Sequence, residues 1–190
     1  MKKILLILAL FPVAVLILFF ALSWLTKSAS AAGMVGGKLT QCPDKPNCVC
    51  SEFPDDSAHA IAPIQIPSGR ETSALSLVKD LLLEMGGEIQ SETDSYLTTT
   101  FTSGFFRFVD DVEIRVDTKA SLLHVRSASR AGYSDMGVNR IRVEEIRSLF
   151  GEKITIYYTP YFTPYFTRYL YTLFIHAIIC TSSLGITAFI

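Results

Sequence analysis

Arginines, carboxylates and hydroxyl residues are concentrated between residues 105 and 147, more densely than a plain sheet-and-helix core requires. Guanidinium groups, hydroxyl donors and a helix N-terminus are groups that bind phosphate or carboxylate ligands. The segment therefore predicts a site for an anionic group. The residues assigned to this site are Asp110, Arg126, Ser127, Ser129, Arg130, Tyr133, Asp135, Asn139, Arg140 and Arg142. The alternative is that the same arginines form buried ion pairs that hold the sheet to a helix.

The acidic residues of this segment suggest a second hypothesis, a metal-dependent hydrolase or isomerase that uses Asp110, Asp111, Glu113 and Asp135. Adjacent residues of a regular strand point to opposite faces, so Asp110 and Asp111 cannot serve the same site. The sequence also contains no Ser-His-Asp order, no HExxH motif and no glycine-rich phosphate loop. We therefore assign no catalytic residue, no metal and no cofactor.

Three cysteines lie in the proline-containing loop at residues 42–50, which reads CPDKPNCVC. In an oxidising compartment such a loop is expected to carry a disulfide. A Cys42–Cys48 bond would close a small loop, whereas a Cys48–Cys50 bond would be too tight, so Cys50 remains a free thiol. A metal site formed by the three cysteines and His59 is an alternative, although this spacing matches no common zinc pattern. Unpaired cysteines are the third alternative.

Periodicity places regular elements on both sides of the polar segment. The pattern predicts an edge strand at 60–66, a helix at 72–85, strands at 88–92, 96–102, 108–117 and 122–129, and a helix at 138–150. This β-α-β4-α order predicts an α+β fold, an antiparallel sheet with both helices packed on one face. The topology resembles the helix-grip and TATA-binding-protein-like folds, a likeness that carries no functional argument.

The register of the two clearest strands follows from matching their apolar faces. It places Asp110 opposite Ser129 and Glu113 opposite Arg126. Asp110 then points toward the core, with Arg130 or an arginine at the start of the last helix as its partner. Glu113 and Arg126 are expected on the outer face, as an ordinary cross-strand ion pair worth ~0.2–1 kcal/mol.

Three motifs, CPDKPNC, FRFVDDVEIRVD and VRSASRAGYSDMGVNRIRVEEIR, resemble the DUF1499 family over roughly residues 39–150. The resemblance implies an exported or membrane-anchored bacterial protein, or a protein of a plastid-bearing eukaryote. It transfers no catalytic residues, because the family has no established chemistry. The family's loop usually reads Pro-Asn-Cys-Val-Ser-Ser, so Cys50 departs from it, which weakens the case for a three-cysteine metal site.

Both ends of the chain are apolar. Residues 4–25 form an uncharged run with Pro12 as its only helix breaker. At ~1.5 Å per residue such a run spans a hydrocarbon core of ~30 Å, so it predicts a transmembrane anchor. A cleaved signal peptide is the alternative, since residues 29–31 fit a cleavage pattern. A second apolar run at 169–190 predicts another span, or a tail that is not a selected part of the fold.

The sequence thus predicts three parts: an anchor or signal peptide with a linker (1–32), an extracytoplasmic α+β domain (33–153) and an atypical apolar tail (154–190). The lysines before the first apolar run favour export of the domain. With a net charge of −1, the chain shows no sign of nucleic-acid binding.

The predicted function is a non-catalytic binding or assembly module on the periplasmic side of the cell membrane, in a single- or double-pass protein. Its expected partners are the membrane and an anionic ligand, a lipid or an envelope protein. A purely structural envelope protein is the remaining alternative.

Overall fold

The computed structural model describes residues 2–158 of the chain. Most of these belong to the first of two compact units, Met1–Gly151. Of the second unit, Glu152–Ile190, residues 152–158 are described, and they are helical. The two interpretations of the run at 169–190 lie outside the described residues.

The described residues form an α+β structure with a mostly antiparallel sheet. Its elements are α1 (Lys2–Lys27), β1 (Met34–Val35), β2 (Lys38–Leu39), β3 (Cys48–Cys50), β4 (Ile64–Gln65), α2 (Glu71–Glu84), β5 (Glu88–Glu92), β6 (Tyr96–Thr102), β7 (Val109–Asp117), β8 (Leu122–Ser129) and α3 (Val138–Tyr158). The main sheet has the strand order β3-β8-β7-β6-β5, β4 also pairs with β8, and β1 and β2 form a separate hairpin.

The register of β7 and β8 agrees with the predicted one. Asp110 pairs with Ser129, and Glu113 pairs with Arg126. Because side chains alternate along a strand, Asp110 lies on the same face as the buried Val112 and Ile114. This face packs against α2, whose buried residues are Ala74, Leu75, Leu77, Val78, Leu81 and Leu82.

The turn from α2 into β5 depends on two glycines. Gly86 has φ +88°, in the left-handed region that favours glycine. At Gly87 a Cβ atom would lie 2.5 Å from Thr99 Cγ2 and 2.9 Å from the carbonyl oxygen of Leu82. The pair therefore allows α2 to end directly above the sheet and the chain to return into β5.

The other face of the sheet is covered by the chain that follows α1, residues 28–39, which we call the N-terminal arm. The hairpin within this arm contacts β7 and β8, and its Leu39 is fully buried. Glu113 beneath the arm is 0% exposed. The expectation of an ordinary surface pair at Glu113 and Arg126 is therefore wrong, because a segment distant in sequence shields it from solvent.

The prediction of an N-terminal transmembrane helix is also wrong. Across residues 2–158, no helix combines the length and the apolar character that crossing a membrane requires. The run at 4–25 lies within α1, which contains Pro12, and the last turns of that helix contact the domain. The hydroxyl of Ser23 is buried and donates to the carbonyl of Arg107 at 2.9 Å, and the rings of Phe19 and Phe106 lie 4.8 Å apart.

Candidate functional site

Strand alternation divides the predicted site residues between the two faces of the sheet. The helix-side network contains Asp110, Ser127, Ser129, Asp135, Asn139 and Arg142. The arm-side network contains Arg126 and Arg130, together with Asp111, Glu113 and Tyr96. The sheet separates the two networks, so the predicted residues do not form one site.

Asp110 is paired with α3 in the helix-side network. Its Oδ2 accepts a hydrogen bond of 2.8 Å from Nη2 of Arg142, whose guanidinium also lies 4.8 Å from the ring centre of Phe101. The inward direction predicted for Asp110 is confirmed, and its predicted partner at the helix start is Arg142. Arg130 is not its partner, because this residue lies on the other face of the sheet. A carboxylate that is largely removed from water, such as that of Asp110, requires such pairing.

The N-terminus of α3 is capped by the protein itself. Asp135 Oδ2 accepts from the backbone N–H of Asn139 at 2.7 Å and from its Nδ2 at 2.8 Å. Nδ2 of Asn139 also lies 3.0 Å from both Ser129 Oγ and the carbonyl oxygen of Asn47. The carboxylate of Asp135 thus takes the place that an anionic ligand would take at this helix end.

Two predicted residues belong to neither network. Tyr133 is 70% exposed. Arg140 is exposed as well, and its Nη1 donates to the carbonyl of Ala60 at 3.0 Å. The sequence grouped them with the site because they are near it along the chain, whereas the turn before α3 directs them elsewhere.

Glu113 is the centre of the arm-side network. Its Oε2 accepts from Arg126 Nη1 at 2.7 Å, and its Oε1 accepts from the Tyr96 hydroxyl and from the backbone N–H of Gly33, both at 2.7 Å. Burial, reinforced by the hydrogen bond to Glu113, raises the pKa of Tyr96. The carboxylate oxygens are both occupied, so this pair ties the N-terminal arm to the sheet and leaves no position for a ligand.

Arg130 joins the sheet to the end of α1. Its Nε and Nη2 donate to the two carboxylate oxygens of Asp111 at 2.9 and 2.8 Å. Its Nη1 donates to the carbonyl of Thr26 at 2.9 Å and lies 3.4 Å from that of Lys27. A guanidinium at this position satisfies terminal carbonyl groups of α1 and complements the negative end of the helix dipole.

A third group of charges, which sequence reasoning missed, surrounds Glu52. Arg115 Nε donates to Glu52 Oε1 at 2.6 Å, and His124 Nδ1 lies 3.6 Å from Oε2. Burial lowers the pKa of His124. Glu52 follows β3 in an irregular loop, so no periodic pattern in the sequence could have brought it to the sheet.

An open cleft of about 280 Å³ lies where the end of α1 meets the β5–β6 side of the sheet. We call it the cationic cleft; its lining residues are Lys27, Glu88, Gln90, Thr100, Thr102, Arg107, Val109 and Arg130. Among residues 2–158, the side chains of Lys27 and Arg107 have no acidic or hydrogen-bonding partner. Arg130 is the only lining residue that the sequence predicted, because the others meet through contacts between distant segments.

Arg107 is held in an uncommon backbone conformation beside this cleft. Its φ of 56° lies in the left-handed region, which non-glycine residues rarely adopt. Ser103 maintains the turn, since its hydroxyl accepts from the backbone N–H of Phe108 at 2.9 Å and its own N–H donates to the Phe108 carbonyl at 2.8 Å. Together with the bond from Ser23 to the Arg107 carbonyl, these contacts fix the backbone from which the guanidinium extends.

The predicted Cys42–Cys48 disulfide is confirmed. Cys50 carries a free, buried thiol, and burial raises its pKa. With two of its cysteines consumed, the alternative metal site cannot form. His59 is hydrogen bonded to Asp56 at 2.9 Å and to the Lys45 carbonyl at 3.0 Å. Within the described part of the chain, no three His, Cys, Asp or Glu side chains are grouped to hold a metal ion.

The fold and the site define a class of small α+β domain in which an antiparallel sheet carries helices on one face and an N-terminal arm on the other. A cationic cleft lies beside the end of α1. Residues 38–150, more than half of the chain, match the DUF1499 family, described as proteins of unknown function, and the chain belongs to this family. No curated protein matches the chain.

Proposed function

We propose that this protein is a non-catalytic binding or assembly module that acts outside the cytoplasm and recognises an anionic group in the cationic cleft. The observation that carries the proposal is the charge of the cleft lining. Lys27, Arg107 and Arg130 line one small space, with Glu88 as the only acid among its lining residues. Such a concentration of positive charge attracts an anion and raises its local concentration.

Two of the three cations are available to a ligand. Arg130 is already committed to Asp111 and to the end of α1. Lys27 and Arg107 have no partner among residues 2–158, so a bound anion would give them their charge-assisted hydrogen bonds. The hydroxyl of Thr102 borders the same space and supplies a further donor, whereas that of Thr100 is bonded to Gln90 and to the Glu88 carbonyl.

The extracytoplasmic location rests on the disulfide. Disulfides form and persist in oxidising compartments, and reducing systems in the cytosol keep most thiols free. The Cys42–Cys48 bond closes the loop before β3. This supports export of the domain and is compatible with the exported proteins that the family resemblance implies.

A titration of the full-length protein with inorganic phosphate, followed by ¹H–¹⁵N NMR, tests the anion site. We expect saturable shifts at the amides of Thr102, Arg107 and Arg130. Lys27→Gln and Arg107→Gln should each weaken binding by about tenfold or more, since a hydrogen bond to a charged group contributes ~1.5–3 kcal/mol. Among residues 2–158 neither side chain has a partner that supports the fold, so we expect both variants to keep the melting temperature of the parent.

Lys119→Gln is the matched control for charge. Lys119 lies after the end of β7 and outside the cleft, so its substitution removes one positive charge without changing the cleft lining. If Lys27→Gln and Arg107→Gln show the same phosphate-induced shifts as the parent protein, the cleft is rejected as the binding site. A complete lack of shifts would reject the proposed function.

A purely structural role is the second candidate, and the two ion-pair networks support it. Glu113, Asp111 and Asp110 are each bonded to an arginine of the predicted patch. Under this alternative, substitutions in the networks lower stability, and the cleft variants change neither stability nor binding of any anion.

A further inference from the structure

We infer that the cationic cleft takes a phosphodiester whose substituent carries a hydroxyl or amine, the chemistry of a glycerophospholipid headgroup. This inference rests on the proposed function and narrows the anion to one class. The observation behind it is that the cleft carries charges of both signs that do not pair with each other. Glu88 lines the same space as Lys27, Arg107 and Arg130, yet no ion pair joins its carboxylate to any of the three.

An isolated anion uses only part of this lining. Inorganic phosphate or a carboxylate would engage Lys27 and Arg107 but would be repelled by Glu88 in the same small space. A phosphodiester has a single negative charge, which lessens that repulsion. A hydroxyl or ammonium group on its substituent would donate to the Glu88 carboxylate, so both parts of the lining would be satisfied.

The size of the cleft limits the ligand to a headgroup. Its volume of about 280 Å³ is slightly below the range of ~300–1,000 Å³ that is typical of pockets for drug-sized molecules. A phosphate with a short polar substituent fits within this volume, whereas a folded peptide segment is larger. Thr100, Thr102 and Gln90 are the polar residues that line the cleft beside the charges.

Exposed aromatic residues near the cleft favour a lipid as the source of the headgroup. Phe20 lies two helical turns before Lys27 and therefore on the same side of α1. Its ring centre is 6.5 Å from that of Phe105, which is 71% exposed and lies two residues before Arg107. The apolar part of a lipid could lie on these rings while its phosphate contacts the cations.

Soluble probes test the chemical class first. We expect the full-length protein to bind glycerophosphoglycerol about fivefold or more tightly than inorganic phosphate in the same NMR titration. Glu88→Gln should reverse this preference, because it removes both the repulsion of phosphate and the carboxylate that accepts from the glycerol. Glu92→Gln is the matched control, since Glu92 is on the same strand but outside the cleft.

Vesicles then distinguish a lipid from a soluble phosphodiester. We expect binding to phosphatidylcholine vesicles to increase about tenfold or more when phosphatidylglycerol is added, and Lys27→Gln/Arg107→Gln to remove that increase but not the basal binding. If the soluble probe binds at the cleft but the vesicle increase is missing, the phosphodiester class stands and a soluble ligand is its source.

The two proposals fail in different ways. If phosphate binds the cleft and glycerophosphoglycerol binds no better, the phosphodiester inference is overturned and the anion-binding function stands. If neither probe shifts the cleft amides, both are overturned. A Glu88→Gln variant that weakens both probes equally would also contradict the inference, since the carboxylate would then only support the fold.

Discussion

The buried pair between Glu113 and Arg126 should contribute far more to stability than a surface pair. Glu113 is 0% exposed, and the side chain of Arg126 is 7% exposed. Removal of one member leaves the other charge in a region shielded from water, which in other proteins costs about 3–5 kcal/mol. An exposed cross-strand pair would contribute ~0.2–1 kcal/mol.

The two single substitutions should differ in a defined order. In Arg126→Met, Glu113 retains the hydroxyl of Tyr96 and the N–H of Gly33, and the unpaired Nε of Arg126 is removed. We expect the free energy of unfolding to fall by about 3 kcal/mol, at the lower end of that range. Glu113→Gln leaves the guanidinium without a carboxylate and places an amide beside it. We therefore expect the free energy of unfolding of this variant to fall by about 4–5 kcal/mol.

Urea unfolding of the disulfide-intact protein measures these losses. Folded domains are stable by only about 5–15 kcal/mol, so each variant should shift the midpoint clearly while the slope stays constant. The double variant Glu113→Gln/Arg126→Met should lose less than the sum of the singles, because it leaves no unpaired charge. Glu144→Gln, which breaks the exposed pair with Arg147, should have a much smaller effect.

A loss below about 1 kcal/mol for Arg126→Met would refute this reasoning, because that is the value of a solvent-exposed pair. Strict additivity in the double variant would refute it as well. Either result would mean that water reaches the pair and that the N-terminal arm does not shield this face of the sheet in solution.

Three further predictions follow from the titratable groups. Burial raises the pKa of Tyr96 above its unfolded value near 10, so its contribution to stability is present below that pH and is lost above it; Tyr96→Phe should flatten the fall in unfolding free energy between pH 9 and 11. The backbone N–H of Ala120 lowers the pKa of Asp117, so that contribution is present above about pH 4 and is lost in acid; Asp117→Asn should flatten the fall in stability between pH 5 and 2. Burial raises the pKa of the Cys50 thiol, so a maleimide should label Cys50 only after denaturation, as located by peptide mass mapping.

Each of these predictions has an opposing outcome. If the parent protein and Tyr96→Phe lose stability equally at alkaline pH, the hydroxyl of Tyr96 is exposed to water. If Asp117→Asn does not change the fall in unfolding free energy between pH 5 and 2, other carboxylates cause the acid sensitivity. Rapid labelling of Cys50 in the native protein would show that β3 opens frequently.

Local patterns in the sequence predicted how the strands pair and which disulfide forms in the loop at residues 42–50. The register that joins Asp110 to Ser129 could be read from two alternating runs, since a shift by one residue would expose the apolar face. The Cys42–Cys48 disulfide was the favoured outcome for the loop at 42–50, because Cys48 and Cys50 are too close to pair with each other, and the structure confirms it. The motifs around them likewise place the chain in its family.

What lies over the sheet depended on the tertiary structure alone. Strand periodicity assigns Asp111 and Glu113 to the face away from the helices, but it does not say that the N-terminal arm buries that face. The apolar run at 4–25 likewise suggested a membrane span, whereas no helix among residues 2–158 is both long and apolar enough to cross a membrane. The contact between Ser23 and Arg107, 84 residues apart, could not be read from the sequence.

The sequence by itself determined the family, the α+β class and the strand register, because each depends on residues that are close together along the chain. The structure decided which arginine meets which carboxylate and brought Lys27, Glu88 and Arg107 to one cleft. These residues lie on separate segments of the chain, and no periodic pattern in the sequence connects those segments. Their positions follow from packing of the whole domain.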